Sequence, residues 1–345
     1  MNDWLPITKS RNAKWWNSAV HNVAAMVGAG VLGFPYAMSE LGWCWGVTIL
    51  IVSWICTLYT AWQMIQMHEP EPGKRLDRYY ELGQYAFGEK LGVWIVVPQQ
   101  LMVEVSINII YMITGGNSLM KIHQILCDNC EPIKRTYFIM MFASVQFVLS
   151  HLPGFNSISG ISLAAAVMSL SYSAIAWIAS FHRGVVPGVE YGSRFSTDAG
   201  NVFGFLGGLG TMAFGYAGHN VVLEIQATMP STPEKPSKIA MWRGFFVAYL
   251  IVAMLYFPIA VCGYWAFGNT VEDNILMSLE KPRWLIVAAN VFVVVHVTGS
   301  YQVHYIISLS LSLFMLCLKT IFMLESFVRF ITRTLVSVFS PIIQV

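Results

Sequence analysis

The chain has 345 residues, of which 56% are hydrophobic and only 11% are charged. Soluble domains carry about 25% charged residues, so this composition excludes a globular protein with a water-facing surface. A net charge of +2 gives no indication of a nucleic acid partner. Residues 1–18 are polar and aromatic and contain Lys9, Arg11 and Lys14, which predicts a retained N-terminal tail rather than a cleaved signal peptide.

Apolar segments of membrane-spanning length recur along the chain, since about 20 apolar residues cross a hydrocarbon core. A sliding window of about 19 residues predicts eight spans and a less regular ninth apolar region at about 307–344. The predicted spans are 19–38, 43–67, 92–116, 136–152, 159–181, 202–228, 244–267 and 284–306. We therefore expect an all-α membrane protein of eight or nine spans, with an N-terminal tail at 1–18, a transmembrane domain at 19–306 and a divergent apolar segment at 307–345.

The basic residues between the spans indicate the orientation in the bilayer. With a cytoplasmic N-terminus, the inside segments contain ten Lys and Arg residues and the outside segments contain seven. The positive-inside rule favours that topology. It places Cys127 and Cys130, a CxxC in a polar connection, on the outer side. One CxxC supplies only two of the four ligands of a structural zinc site, so a local disulfide or no special role is favoured, and no metal site is predicted.

Two spans contain residues that interrupt a helix. The first contains three glycines and a proline in Gly28–Pro35, and the sixth contains six glycines between Gly204 and Gly218. Glycine weakens a helix by about 1 kcal/mol and proline by about 3 kcal/mol relative to alanine. Spans one and six would correspond in a five-helix inverted repeat, and interrupted segments at matching positions point to a transporter's binding site. Close helix packing through small residues is the alternative, and it fits Gly204 and Gly208 best.

A broken helix offers backbone groups for binding both charges of an amino acid. The N-terminal end of a half-helix suits a carboxylate, and unwound carbonyl groups suit an ammonium. We expect Phe214 and Tyr216 to contribute to the choice of side chain.

Ionisable residues inside spans are costly and are therefore candidates for function. Glu104 lies in span three on one helical face with Asn108 and Tyr111. His219 and Glu224 lie in span six, and the ordinary pKa of histidine suits proton exchange. Glu104, His219 and Glu224 are thus candidates for proton coupling. For Glu104 and His219, a purely structural hydrogen-bonding role is an equal alternative. No nucleophile–base pair is visible, so no catalytic residue is predicted.

The stretch from Trp15 to Ala37, WWNSAVHNVAAMVGAGVLGFPYA, closely resembles the plant lysine/histidine-transporter-like proteins of the amino acid/auxin permease family. Phe214–Pro230 and Val297–Val303 support the resemblance. It implies the fold of the amino acid–polyamine–organocation transporters with broken spans one and six. It also implies amino acid uptake at the plasma membrane that is driven by the proton gradient and needs no cofactor. Carried over by position, the residues lining the substrate site would be Gly28, Ala29, Gly30, Val31, Leu32, Phe214, Gly215, Tyr216, Ala217, Gly218 and His219.

The chain departs from the family pattern after Val303, where a serine- and leucine-rich run replaces the expected stretch. Family members continue to about eleven spans, so we expect the second repeat to be C-terminally incomplete. Three functions follow as hypotheses: a proton-coupled amino acid symporter, a truncated non-transporting variant that regulates full-length relatives, and an auxin-like carrier.

Overall fold

The structure is a computed structural model that describes residues 11–71, 74–127, 130–151, 158–192, 194–218, 221–232 and 234–302. It also describes residues 304, 305, 308, 311–313, 315 and 316 individually, and only the backbone of residues 158–162. Most of the region at 307–345 therefore lies outside the described residues.

The described residues form helices and no paired sheet. In chain order the helices are α1 (Trp15–Met26), a 3₁₀ turn (Ala29–Gly33), α2 (Phe34–Met67), α3 (Tyr79–Phe87), α4 (Glu89–Leu126), α5 (Arg135–Ser150), α6 (Ile158–Arg183), α7 (Asp198–Gly215), α8 (Val222–Ala227), α9 (Ser237–Phe267), a second 3₁₀ turn (Gly268–Thr270), α10 (Ile275–Ser278) and α11 (Arg283–Gln302). α1 packs against α9 and α6, and α2 packs against α7 and α9.

Each of the eight predicted spans corresponds to helix in this structure. Helix α2 contains the end of span one and all of span two. The two spans are separated by a kink at Gly42, which has a φ of +73°. Glycine tolerates this left-handed conformation without steric cost. Two details differ from the predicted spans. The segment between spans two and three, expected as a polar connection, contains helix α3, and α4 continues through Leu126 instead of ending near residue 116.

Five of the described helices are long and apolar enough to cross a membrane. They are Ala29–Met67, Glu89–Leu126, Leu163–Arg183, Ser237–Thr270 and Arg283–Gln302. Their outer faces expose large apolar side chains, such as Met254 at 71% and Met102 at 65%. Exposed apolar surface on this scale marks a membrane-facing perimeter. The expected multi-span helical membrane fold, with its first and sixth spans broken, is confirmed.

The connections assemble at the two ends of the bundle as the predicted topology requires. At one end, which we call the N-terminal end, the Ala13 amide donates to the Thr228 carbonyl at 3.3 Å. At the opposite end, Lys121 Nζ donates to the Met277 carbonyl at 2.7 Å, and the Asn269 amide donates to the Glu190 carbonyl at 2.9 Å. Segments predicted to share one side of the bilayer therefore contact each other.

Candidate functional site: a cavity between two broken helices

The first break lies between α1 and α2. Helix α1 ends at Met26, and Gly28 has an extended backbone with φ −97° and ψ −171°. A 3₁₀ turn then leads directly into α2, with Pro35 in its first turn. Proline fits this position because the first N–H groups of a helix have no intrahelical partner. The expected loss of helical geometry at Gly28–Gly33 is confirmed.

The second break follows α7, which ends at Gly215. The Ala217 amide donates to the Phe214 carbonyl at 3.0 Å, a turn rather than a helical bond. The chain then has no regular structure at Ala217–Gly218, and α8 begins at Val222. The expected break near Gly215–Gly218 is confirmed. His219 lies outside the described residues, so its predicted role in proton coupling stays a prediction.

The two breaks contact each other closely through their glycines. A methyl group at Gly30 would lie 3.1 Å from the Phe214 ring, and one at Gly215 would lie 1.9 Å from Cε1 of Phe34. Ordinary carbon contacts are about 3.5–4.0 Å, so glycine at position 215 is required by packing. Glycine at positions 30 and 215 therefore allows the two breaks to pack closely, in addition to weakening the helices there.

A cavity opens where the two breaks meet. From the predicted set it is lined by Gly28, Ala29, Gly30, Phe214, Gly215 and Ala217. Ala25, Met26, Ile107, Tyr111 and His304 complete the lining. Its volume is about 20 Å³, which is room for one or two waters. A cavity of this size is too small for a molecule as large as an amino acid in this conformation.

Four residues of the predicted set do not line this cavity. Val31 and Leu32 are fully buried in the packed core. The Tyr216 hydroxyl donates to the Leu50 carbonyl at 3.1 Å, and Gly218 packs against Met26. These four residues support the shape of the breaks in this conformation. Their role in binding substrate stays a prediction, as does that of the six residues in the wall.

Two tyrosines from neighbouring helices bind the carbonyl groups exposed by the breaks. The Tyr256 hydroxyl in α9 contacts the carbonyls of both Met26 and Gly215, the latter at 2.9 Å. The Tyr172 hydroxyl in α6 donates to the Val27 carbonyl at 3.4 Å. A hydroxyl has one hydrogen to donate, so Tyr256 donates to one of these two carbonyls at a time from a position within reach of both. Nothing in the local sequence around Tyr256 or Tyr172 indicated this role.

Glu104 is fully buried, and its carboxylate faces other helices as expected. His304 Nδ1 lies 2.7 Å from Glu104 Oε2, and the His304 ring packs edge-on against Tyr111 at 5.7 Å between centroids. Further along α4, the Asn108 amide donates to Ser308 Oγ at 3.1 Å. The polar stripe predicted on span three thus faces the segment that follows α11. His304, which is far from Glu104 in sequence and lies in the serine- and leucine-rich run, was missed as a site residue.

Glu224, in α8, forms an ion pair with Arg78 from the segment preceding α3. The distance between Arg78 Nη1 and Glu224 Oε1 is 2.8 Å. Arg75 donates to the Gln226 and Met229 carbonyls at 3.1 and 3.2 Å. Arginine at these carbonyls satisfies the C-terminal end of α8 and complements its dipole. Glu224 and the end of α8 are therefore fixed to the N-terminal end of the bundle.

A cluster of ionisable groups surrounds Asp77 at the same end. Asp77 lies 3.2 Å from Arg11 Nη2, 3.2 Å from His68 Nε2 and 3.6 Å from Arg75 Nε. Burial raises the pKa of Asp77, but the contact with His68 and the charges of both arginines outweigh it, so this pKa lies below its ordinary value. Burial lowers the pKa of His68, and the contact with Asp77 restores only part of the shift.

The Asp77 cluster and the Arg78–Glu224 pair join the outer ends of the two half-helices. Arg11 precedes α1 and Glu224 belongs to α8, and both helices extend from the cavity toward this end. These contacts therefore link the segment before α1 and helix α8 to the connection between α2 and α3, on the N-terminal side of the cavity.

Comparison with known proteins agrees with this architecture. Residues 11–308 match the family model described as transmembrane amino acid transporter protein. Lysine histidine transporter-like 1 of Arabidopsis thaliana is 64% identical over 303 residues, covering 88% of this chain and 67% of the relative. Lysine histidine transporter-like 6 of the same plant is 52% identical over 342 residues, covering 99% of this chain and 78% of the relative. That alignment therefore reaches into the segment after residue 306.

More distant relatives carry the name of amino acid permeases. Amino acid permease 6 of Arabidopsis thaliana is 31% identical over 314 residues, covering 85% of this chain and 64% of the relative. The chain thus spans about two thirds of the length of these relatives. All of them are named as transporters or permeases rather than enzymes, as expected for this sequence. The extent of the family match and the identity of these relatives show that the chain belongs to the transmembrane amino acid transporter family, with the lysine histidine transporter-like proteins among its relatives.

Proposed function

We propose that the chain is a proton-coupled amino acid symporter of the plasma membrane, with its N-terminus in the cytoplasm. The observation that carries this proposal is the meeting of two helix breaks at one buried cavity beside the Glu104–His304 pair. The positive-inside rule supports the orientation.

Both charges of an amino acid find backbone partners at the cavity. The chain resumes helical structure immediately after Gly28, and the first N–H groups of such a turn lack intrahelical partners and suit a carboxylate. The Gly215 carbonyl suits the ammonium group. It has a second lone pair beside the hydrogen bond from Tyr256, so the tyrosine and an ammonium can share it.

The Glu104–His304 pair is the proposed proton site. With one proton the pair is a hydrogen-bonded carboxylate and imidazolium, or a carboxylic acid and a neutral imidazole. A second proton weakens that hydrogen bond, because a neutral carboxylic acid is a poorer acceptor for an imidazolium than a carboxylate is. Since His304 lines the cavity, a change at this pair alters the wall next to the substrate. Proton binding and substrate binding are coupled through that shared residue.

The side chain of the substrate faces Ala25, Met26, Ile107 and Phe214, which form an apolar wall, and the Tyr111 hydroxyl. Backbone recognition of the shared amine and carboxylate favours a range of amino acids over a single one. The names of the relatives make lysine and histidine the first substrates to test.

The test is uptake of radiolabelled histidine by the purified chain in proteoliposomes, with and without an imposed gradient of pH. We expect accumulation only when the side facing the substrate is acidic. Glu104→Gln removes the carboxylate and should abolish the dependence on the gradient. Ser106→Ala, on the exposed face of the same helix, is the matched control and should behave as the wild type. Gradient-driven accumulation by Glu104→Gln equal to that of the wild type would contradict the proposed proton site.

A further inference from the structure

A second group of side chains with ligand chemistry lies at the C-terminal end of α4, far along that helix from Glu104. His123, Cys127 and Cys130 each place one potential ligand atom within 4.8 Å of the others. In the structure Cys127 and Cys130 are joined in a disulfide, with their Cα atoms 5.5 Å apart. His123 and Cys127 are half-buried and Cys130 is exposed, so solutes reach the group from the aqueous side.

The helix itself brings His123 and Cys127 together. They are four residues apart in the last turn of α4, and the Cys127 amide donates to the His123 carbonyl at 3.0 Å. Residues at this spacing share one helical face, as the paired histidines of helical zinc sites do. The His123 ring packs against Phe138 of α5, with 5.5 Å between ring centroids. One ligand pair is therefore held by helical geometry and by an aromatic neighbour, and the Cys130 sulfur lies beside it.

We propose that this group, when its disulfide is reduced, binds one thiophilic divalent cation of the zinc class through two thiolates and one imidazole nitrogen. Two thiolates balance the charge of the cation, and neutral imidazole adds a third bond without further charge. The partial negative charge at the C-terminal end of α4 also favours a cation there. Thiolate and imidazole together select zinc-like ions over magnesium or calcium.

The geometry needs only a small adjustment. Zinc bonds of about 2.0–2.3 Å in tetrahedral geometry place ligand atoms about 3.5 Å apart. The His123 nitrogen, within 4.8 Å of the sulfurs, must therefore approach them by about 1 Å, and the two sulfurs must separate once their bond is reduced. Three protein ligands leave the fourth position to water. The CxxC supplies two ligands, and His123 adds a third that the spacing of the cysteines alone does not reveal.

Oxidation and metal binding exclude each other at these sulfurs. A phosphine reductant cleaves the S–S bond by accepting the oxygen of one water molecule, and the two hydrogens of that water end on the two sulfurs. The phosphine is oxidised to its oxide, and the disulfide is reduced to two thiols. Cation binding then displaces both thiol protons into solvent. The same two cysteines thus provide either a local cross-link or a metal site, according to the redox state of the side on which they lie.

The test uses the full chain purified in detergent, in its oxidised state and after phosphine reduction, titrated with Co²⁺ and then with Zn²⁺. We expect the reduced wild type to bind one Co²⁺ per chain with a thiolate-to-cobalt charge-transfer band, which Zn²⁺ abolishes by displacement. The oxidised chain should show no such band. Cys127→Ser and Cys130→Ser should each weaken or abolish it, and His123→Ala should weaken binding by more than about tenfold.

Matched controls separate this site from general binding by thiols and histidines. Cys44→Ser and Cys56→Ser remove exposed free cysteines elsewhere, and His182→Ala removes a histidine at the end of α6. All three should bind Co²⁺ as the wild type does. Absence of the charge-transfer band in the reduced wild type would overturn the proposal. Retention of that band in a Cys127→Ser/Cys130→Ser double variant, or unchanged affinity in His123→Ala, would overturn it as well.

Discussion

Three glycine-to-alanine substitutions test whether the close contact between the two breaks is required. At Gly215 the new methyl group would lie 1.9 Å from Cε1 of Phe34, which is fully buried. Because normal carbon contacts begin near 3.5 Å, the two groups must separate by about 1.6 Å. Phe34 packs on Tyr216 and Tyr256, at 5.6 and 4.9 Å between ring centroids, so it has little room to retreat.

The magnitude follows from the cost of overpacking a core, about 1–3 kcal/mol. A penalty of that size on the conformation in which the two breaks are in contact lowers its population by about 5- to 150-fold relative to conformations in which the breaks separate. At Gly30 the methyl group would lie 3.1 Å from the Phe214 ring, so a shift of a few tenths of an ångström relieves it. At Gly210, on the exposed face of α7, no atom lies within 4 Å, and alanine should stabilise the helix by about 0.5–1 kcal/mol.

The assay is radiolabelled histidine uptake at equal reconstituted protein, together with the thermal stability of each purified variant. We expect Gly210→Ala to match or exceed the wild type, Gly30→Ala to lose part of its uptake while remaining folded, and Gly215→Ala to lose both stability and uptake. If Gly215→Ala is as stable and as active as Gly210→Ala, the close contact between the two breaks is not required for stability or uptake.

Three further substitutions probe the tyrosine, the proton site and the Asp77 cluster. Tyr256→Phe removes the hydroxyl that contacts the Met26 and Gly215 carbonyls and should cost about 1–3 kcal/mol and most of the uptake. Tyr249→Phe, whose hydroxyl donates to a carbonyl away from the breaks, should cost stability alone, and equal loss of uptake in both variants would refute this. His304→Gln should change the pH dependence of uptake as Glu104→Gln does, with no further change in the double variant; additive changes would mean that the two act separately. The depressed pKa of His68 means that its contribution to the free energy of unfolding is fully present above about pH 6.5 and is lost as the pH falls. The difference in Tm between the wild type and His68→Gln should therefore narrow on acidification, and a constant or widening difference would contradict the assigned direction.

The spans and their breaks could be predicted because hydropathy and glycine density are local properties of the sequence. Gly28–Pro35 combines several residues that weaken a helix, and the structure has its break there. The end of α4 was predicted too early because Asn117, Lys121 and His123 lower the local hydropathy. In the structure Lys121 is buried and donates to the Met277 carbonyl, so its polarity is satisfied and the helix continues.

The contacts that define the site could not be predicted in the same way, because they join residues that are distant in sequence. His304 reaches Glu104 across 200 positions, and Tyr256 reaches Met26 across 230. Nothing in the spacing of either residue encodes its partner. Helix α3 was missed for another reason: a short helix with polar and aromatic residues gives a weak signal within a segment that reads as a connection.

The most direct test of the account is equilibrium binding of radiolabelled histidine to the purified chain, which does not require a complete transport cycle. We predict saturable binding of one molecule per chain that unlabelled amino acids displace. Gly30→Leu, which fills the cavity between the breaks, should abolish binding while the chain remains monodisperse. Gly210→Leu, on the exposed face of α7, should bind as the wild type does. Undiminished binding by Gly30→Leu, or no saturable binding by the wild type, would contradict the claim that the broken helices form an amino acid site.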